Sequence, residues 1–247
     1  MSQFIALMYH SLKDPPTGGY SVSLSEFKAQ LAWLKAEGFT IEGFAELERR
    51  LIQGDFPEHY IVMTFDDGHK SSLPAAEILR EADAQATFFL TKEACQNRAN
   101  FLSAHEIREL STLCSVGSHG VTHLPLTKIG IGRLRWELAE SKKWLEDLVN
   151  KPINLLSAPG GYINSRVVRH ALDLGYSLLG NSVEWWNQTP QVAAQRVVNR
   201  IAVRSSFLMP TFKKIVRGER IFFLKRRLRS SLLAIPKTFL SGSGVCI

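Results

Sequence analysis

The chain has 247 residues, 45% of them hydrophobic, so it can bury the core of one large domain. Its formal net charge of +7 is unevenly distributed, because residues 207–247 hold nine Lys or Arg and one acidic residue, whereas residues 1–206 hold 21 basic and 22 acidic residues. A nearly neutral main part without a recognition motif argues against a nucleic-acid partner. We therefore predict a main domain over residues 1–206 and a basic C-terminal extension over residues 207–247.

The sequence also bears on location. No apolar run approaches the roughly 20 residues that span a bilayer, and the N-terminal residues lack a signal-peptide pattern. Cys95, Cys114 and Cys246 match neither a disulfide framework nor a thiolate metal site, which indicates a reducing, cytoplasmic setting. From Ile221 to Ile235, apolar residues at helical spacing are interleaved with basic ones. This helix is expected either to lie at the inner face of an anionic membrane or to pack on the main domain.

Seven short apolar runs predict β-strands along the main domain. Most are continuous rather than alternating, which is typical of strands buried on both faces of a parallel sheet. The predicted strands span residues 4–8, 61–65, 86–90, 113–117, 154–158, 176–180 and 201–203.

Helical patterns lie between these strands. Ser23 and Glu26 form a capping-box pattern ahead of an apolar stripe, and Gly38 can end that helix. A second helix is predicted over residues 132–149, with Pro152 just beyond its end. This alternation predicts an α/β protein. Since no GxGxxG follows the first strand, a slightly incomplete barrel is favoured over a dinucleotide-binding sheet.

Polar clusters follow several of the predicted strands. TFDDGH places Asp66 and Asp67 after the second strand, where Gly68 allows a sharp turn, and SHGVTH places His119 and His123 after the fourth. Because the carboxyl ends of parallel strands meet at one edge, we expect these side chains to lie together. Two histidines and one carboxylate suit a catalytic zinc ion with open positions. The second carboxylate is then free to act as a general base on metal-bound water.

Each of these patterns has a simpler explanation when taken alone. An Asp-Asp pair after a strand is commonly a turn or helix cap, and His-x3-His is commonly a pair of surface histidines. Their joint occurrence at one predicted edge favours a metal site. Non-haem iron oxygenases use the same two-histidine, one-carboxylate set, but their usual scaffold is all-β rather than alternating β and α.

TFDDGH, SHGVTH and the loop SAPGG resemble, in order and spacing, the polysaccharide deacetylase family, also called the NodB-homology domain or carbohydrate esterase family 4. The resemblance covers about residues 3–206, and the loop without arginine resembles the exopolysaccharide-associated branch. It implies a distorted (β/α)7 barrel that removes N-acetyl groups from amino sugars of a polysaccharide or its lipid-linked precursor. It also implies one divalent metal ion, which we expect to be zinc, with cobalt, nickel or manganese as alternatives.

Motif matching assigns roles to individual residues of this chain. The resemblance implies that Asp67, His119 and His123 bind the metal and that Asp66 is the base. Contacts with the substrate are expected from the loop after the fifth strand and from an aromatic residue after the sixth, namely Pro159, Gly160, Gly161 and Trp185. For Trp185, packing in the core or at the rim is the alternative.

The chain departs from the family pattern at two positions. Members usually carry a late histidine as general acid where this chain has Arg204, which does not release protons near neutral pH. They often carry a base-orienting arginine where this chain has Ser157. His10, directly after the first strand, is the expected replacement acid, and return of the proton by Asp66 is the alternative. A catalytically impaired barrel that binds a glycan or a biosynthetic partner is the alternative.

Overall fold

The computed structural model describes residues 2–221 and 223–224, and most of its strands form one barrel-shaped sheet that is nearly closed. The strands are β1 (Gln3–Tyr9), β2 (Ser11–Leu12), β3 (Ser21–Val22), β4 (Thr40–Glu42), β5 (Tyr60–Phe65), β6 (Thr87–Leu90), β7 (Ser115–Ser118), β8 (Leu155–Ser157), β9 (Leu178–Gly180), β10 (Asn187–Gln188), β11 (Val197–Val198) and β12 (Ile201–Ala202). The helices are α1 (Leu24–Ala36), α2 (Phe44–Gln53), α3 (Ser72–Glu81), α4 (Lys92–Asn97), α5 (Ala104–Leu113), α6 (Ile131–Val149), α7 (Ser165–Asp173), α8 (Thr189–Gln195) and α9 (Met209–Val216).

The strand order confirms the predicted α/β barrel. A parallel path runs through β1, β5, β6, β7, β8, β9 and β11. The other edge of β1 pairs in parallel with β12 at Leu7 and Met8 and antiparallel with β10 at Gln3 and Phe4. Each of the seven predicted strands is present. Residues 199–200 separate β11 from β12, so this two-residue link, which we call the seam, carries the chain from one edge of the sheet to the other.

Burial and capping explain the elements that carry the site. All six residues of β5 are buried, and Phe65 at its end stacks on Phe88 of β6 with ring centroids 4.7 Å apart. In α1, the Ser23 hydroxyl accepts a hydrogen bond from the Glu26 N–H, which is one half of the predicted capping box. Gly38 follows the helix with φ of 77°, as predicted. A parallel sheet covered by helices on its outside places every βα turn on one rim.

The first part of the predicted C-terminal extension packs on the barrel. Phe212, Ile215 and Val216 of α9 are buried in the main hydrophobic core, as is Phe223. The division between residues 206 and 207 stays a prediction, and the helix predicted from Ile221 to Ile235 lies mostly outside the described residues. Within the described part of the chain, no helix is long and apolar enough to cross a membrane.

Candidate metal centre

A cavity of about 550 Å³ lies at the rim formed by the carboxyl ends of the strands. Both polar clusters that the sequence analysis placed at one edge contribute to its wall, together with the loop after β8. The lining includes Asp66 and Asp67 after β5, His119 and His123 after β7, and Gly160 and Gly161 after β8. The expectation that these residues share one rim therefore agrees with the geometry.

Asp67, His119 and His123 converge on one point. Each offers a ligand atom, and these atoms lie within 4.8 Å of one another. The Asp67 Oδ1 atom is 3.4 Å from His119 Nε2 and 3.3 Å from His123 Nε2. One carboxylate oxygen between two imidazole nitrogens is a donor set that suits a divalent cation, zinc in particular.

A backbone hydrogen bond fixes the orientation of the His119 ring. Its Nδ1 atom donates to the carbonyl oxygen of Ser157 at 2.8 Å, which leaves the Nε2 lone pair facing Asp67. Metal-binding histidines are usually held in this way by a second group. His119 is buried, whereas the side chain of His123 is 47% exposed.

Oδ1 of Asp67 fits a cation for a second reason. It is buried and has no well-aligned hydrogen-bond donor among the described residues, although the two imidazole nitrogens are close. A buried carboxylate oxygen in this state is costly unless a positive charge meets it. Burial alone would raise the pKa of Asp67, but the adjacent imidazoles of His119 and His123 hold that pKa far below its usual range.

Two of the three candidate ligands lie in left-handed backbone. The φ angle is 76° at Asp67 and 62° at His123, and Gly68 follows Asp67 with φ of 86°. Gly68 therefore makes the predicted turn together with Asp67 rather than alone. A Cβ atom on Gly68 would lie 2.9 Å from the Cys95 sulfur, so the position also lacks room for a side chain. Non-glycine residues in this region cost of order 1–3 kcal/mol and are concentrated at functional sites.

Asp66 is held by a different set of partners. Its Oδ1 accepts from Arg200 Nη1 at 2.7 Å, and its Oδ2 accepts from Arg200 Nη2 at 2.9 Å and from the Ser157 hydroxyl at 2.8 Å. Burial alone would raise the pKa of Asp66, but the charges of Arg200 and His119 hold that pKa below its ordinary value. Asp66 is therefore ionised near neutral pH.

The sequence analysis missed Arg200. It follows β11, where the run VVNRIAV places one charged residue between two apolar strand segments. That interruption of an apolar run was the available signal. Ser157 stands where family members often have an arginine that orients the base. In this chain the guanidinium of Arg200 contacts the Asp66 carboxylate.

Glu137 on α6 is a second residue that the sequence analysis missed. Its side chain is fully buried and accepts hydrogen bonds from the N–H groups of Val121 and Thr122, at 2.7 and 3.0 Å, and from the Thr122 hydroxyl. These residues lie between the two histidines, so Glu137 fixes the loop that presents them. An acidic residue on the inner stripe of a helix, next to Leu138, was the signal.

His10 and Arg204 both line this cavity, and both contact the ring of Tyr20. His10 is partly buried, its buried Nδ1 atom has no hydrogen-bond partner among the described residues, and its ring centroid is 4.9 Å from that of Tyr20. Burial lowers the pKa of His10, although Asp66 and Asp67 partly oppose this. Arg204 forms an ion pair with Glu184 at 3.1 Å.

The structure separates the predicted substrate-binding residues. Gly160 and Gly161 line the cavity, whereas Pro159 is buried beside it. Trp185 is not part of this wall: it stacks on Trp186 with centroids 4.0 Å apart and packs against the main core. Its placement agrees with the packing alternative. Tyr162, which was not predicted, lines the cavity and is 57% exposed.

The fold and these contacts define an α/β barrel with a candidate metal centre on its rim. The family model described as polysaccharide deacetylase matches residues 53–179, just over half of the chain. The chain belongs to the polysaccharide deacetylase family, which confirms the resemblance drawn from its motifs.

Named relatives agree with this assignment. The peptidoglycan-N-acetylglucosamine deacetylase of Bacillus cereus is 32% identical over 54% of this chain and 60% of its own length. YxkH of Bacillus subtilis is 27% identical over 70% of this chain and 62% of its own length. The chain thus spans about 60% of the length of these curated relatives.

Solved structures share the fold. The deacetylase PplD of Streptococcus pyogenes, in complex with acetate, has a TM-score of 0.78 and 22% identity over 87% of this chain and 98% of its own. BC0361, a polysaccharide deacetylase from Bacillus cereus, has a TM-score of 0.75 and 25% identity over 87% of this chain and 69% of its own.

Proposed function

We propose that this protein is a metal-dependent hydrolase that removes N-acetyl groups from amino sugars of a polysaccharide or its lipid-linked precursor. The observation that carries the proposal is the convergence of Asp67, His119 and His123 beside a separately held Asp66. The family and the named activity of the Bacillus cereus relative support this class of substrate. Zinc suits the two nitrogen atoms and one oxygen atom of the donor set.

A divalent cation at this point would polarise the acetyl carbonyl and lower the pKa of a bound water molecule. Asp66 is the base, since its carboxylate is ionised, is buried at the cavity wall and lies 3.8 Å from His119 Nε2. Of roughly four lone-pair positions on a carboxylate, three are used by Arg200 and Ser157, so one remains for a proton. Water adds to the carbonyl carbon, the C–N bond breaks, and acetate and a free amine leave.

His10 is proposed to return the proton to the departing amine. Its lowered pKa means that the imidazole is neutral in the resting site, so it must first receive the proton that Asp66 takes from water. Its buried Nδ1, without a partner among the described residues, is available for that transfer. The Gly161 N–H is already committed to the Ala158 carbonyl at 2.7 Å, so the N–H of Gly160 is the proposed donor to the oxyanion.

Acetate release tests this proposal. The purified chain, with zinc added, is incubated with chitin oligosaccharides, poly-N-acetylglucosamine and peptidoglycan, and acetate is measured against the Asp66→Asn variant. We expect release by the wild type and a loss of about 1,000-fold in the variant, within the range that general acid–base groups contribute. Zinc should remain bound in the variant. Full activity in Asp66→Asn would refute the base assignment.

Arg204 at the place of the usual acid favours a second candidate, a silent barrel that binds a glycan. Zinc binding without acetate release from any of these polymers would support it. Cytoplasmic location and contact with an anionic membrane through the basic extension remain predictions. Vesicle sedimentation with and without anionic lipid, using the full chain, would test the membrane contact.

A further inference from the structure

Both adjacent carboxylates lie near the candidate cation position. The Oδ1 atom of Asp67 is 3.4 Å from His119 Nε2, and the Oδ2 atom of Asp66 is 3.8 Å from the same nitrogen. A cation bound to that imidazole would attract either carboxylate. Distance alone therefore does not decide which aspartate becomes a ligand and which stays a free base.

The two carboxylates differ in the partners that hold them. Arg200 engages both oxygens of Asp66, and the Ser157 hydroxyl adds a third hydrogen bond. Oδ1 of Asp67, by contrast, has no well-aligned donor among the described residues. To reach a cation, Asp66 would have to give up charge-assisted hydrogen bonds, whereas Asp67 would gain a partner.

Arg200 is itself fixed by its surroundings. All five N–H groups of its buried guanidinium have acceptors: the Asn181 carbonyl for Nε, Thr64 and Asp66 for Nη1, and Asp66 and Ser157 for Nη2. A planar fork with every donor used has little freedom to follow Asp66 toward a cation.

Neighbouring elements of the fold position the Arg200 side chain. Arg200 lies in the seam, where the neighbouring Asn199 exchanges two hydrogen bonds with Asn187 of β10, through its own N–H and carbonyl. Gly180 at the end of β9 leaves room for the side chain, since a Cβ atom there would lie 2.5 Å from Arg200 Nε. The chain thus delivers a guanidinium from the closing seam of the barrel to a carboxylate on β5.

We propose that Arg200 is a positioning residue that keeps Asp66 off the cation, so that Asp67 is the ligand of the pair and Asp66 remains the base. This inference rests on the proposed function. The sequence alone does not determine which of the two adjacent aspartates binds the metal. In this proposal Arg200, in the seam, determines it. A merely structural Arg200 would affect folding but not the number of metal ligands.

Zinc affinity and coordination number test the proposal. In Arg200→Met, the freed Asp66 should join the metal, so that zinc binds about tenfold more tightly in a chelator competition, an effect of the size that groups around metal ligands produce. X-ray absorption of the zinc-loaded protein should show one additional oxygen ligand, while acetate release falls. The double variant Asp66→Asn/Arg200→Met should return to the wild-type zinc affinity.

Three further variants give the test its controls. Arg50→Met removes another bidentate arginine, the partner of Glu42 on β4, and should leave zinc affinity unchanged. Arg200→Lys, which cannot engage both oxygens in one plane, should tighten zinc binding by less than Arg200→Met. If Arg200→Met does not fold, Gly180→Ala applies the same readouts, because it displaces the guanidinium without removing its charge.

The outcomes separate this inference from the proposed function. Equal or weaker zinc binding with an unchanged coordination number in the folded Arg200→Met or Gly180→Ala variant would overturn the role of Arg200 alone. Unchanged zinc binding in Asp67→Ala would overturn the metal site of the proposed function, and this inference with it.

Discussion

The candidate site has an inner and an outer side that differ in burial. On the inner side, Asp66 and His119 are each 2% exposed, and both bind Ser157. On the outer side, the side chains of Asp67 and His123 are 33% and 47% exposed. Protein groups thus orient Asp66 and one imidazole independently of any ligand, while the outer pair faces solvent.

The largest expected effect comes from removing either imidazole. His119→Ala and His123→Asn should each weaken zinc binding by at least about 100-fold, because a direct ligand is lost. Asn is chosen at position 123 because it tolerates left-handed backbone. The metal-free proteins should differ in stability. His119→Ala removes the imidazole that donates to the buried Ser157 carbonyl and should cost about 1–3 kcal/mol of unfolding free energy.

Replacement of the exposed His123 should have little effect on the stability of the metal-free protein. His123→Asn should change the unfolding free energy of the metal-free protein by no more than about 0.5 kcal/mol. Urea unfolding in the presence of a chelator measures both variants. Equal losses of stability would contradict the distinction between an inner and an outer side.

Glu137 tests whether the inner side extends behind the histidine loop. In Glu137→Gln the buried oxygen that accepts from both Val121 and Thr122 is disturbed, so zinc affinity should fall by about 10-fold. Glu140→Gln is the matched control on the same helix, since Glu140 pairs only with Lys92 among the described residues. Equal zinc affinities in the two variants would show that Glu137 does not support the site. The inner side would then consist only of residues that contact the candidate ligands directly.

His10 allows a test by pH. Its folded pKa lies below the unfolded value of about 6.5, so the unfolded chain binds the proton first and stability is lost as pH falls through that value. His10→Gln should remove this loss, giving a smaller drop in unfolding free energy between pH 7.5 and pH 5.5. Acetate release should fall by about 100-fold in the same variant. If the unfolding free energy of His10→Gln varied with pH as in the wild type, His10 would not be the group that causes the loss of stability at low pH.

The smallest effect is expected on the outer rim. Tyr162→Ala should raise KM for a glycan oligomer by about 3–10-fold with little change in kcat, as expected for a lost aromatic contact. Trp185→Ala should instead lower stability and leave KM unchanged, because that ring stacks on Trp186. A raised KM in Trp185→Ala alone would restore the original prediction of a substrate contact.

Much of the fold and half of the site could be predicted from local patterns. The continuous apolar runs predicted the strands of the barrel. The motifs around Asp67 and His119 predicted the cluster of candidate ligands, because these two residues lie within two positions of a strand end. Arg200 could not be found in this way. Its partner Asp66 is 134 residues away, and the contact exists only after the sheet has curved back on itself.

The same limit explains where the expectations from sequence and the structure differ. Trp185 was predicted to contact substrate because aromatic residues near strand ends often do, yet its actual neighbour is Trp186 in sequence and Phe223 from the extension. Ser157 was read as a loss of support for Asp66, whereas its hydroxyl donates to Asp66 and accepts from Arg200. Its small size also suits the Arg200 guanidinium, which comes from the seam between β11 and β12.

The origin of this guanidinium has a consequence for protein engineering. Grafting only the four rim residues Asp66, Asp67, His119 and His123 onto another parallel barrel would transfer the candidate ligands and Asp66. It would not transfer Arg200, which holds Asp66 in place. The smallest portable unit also contains Gly180, Asn187, Asn199 and Arg200, which come from three separate segments of the chain. Closure of the host barrel would therefore have to be redesigned together with its active site.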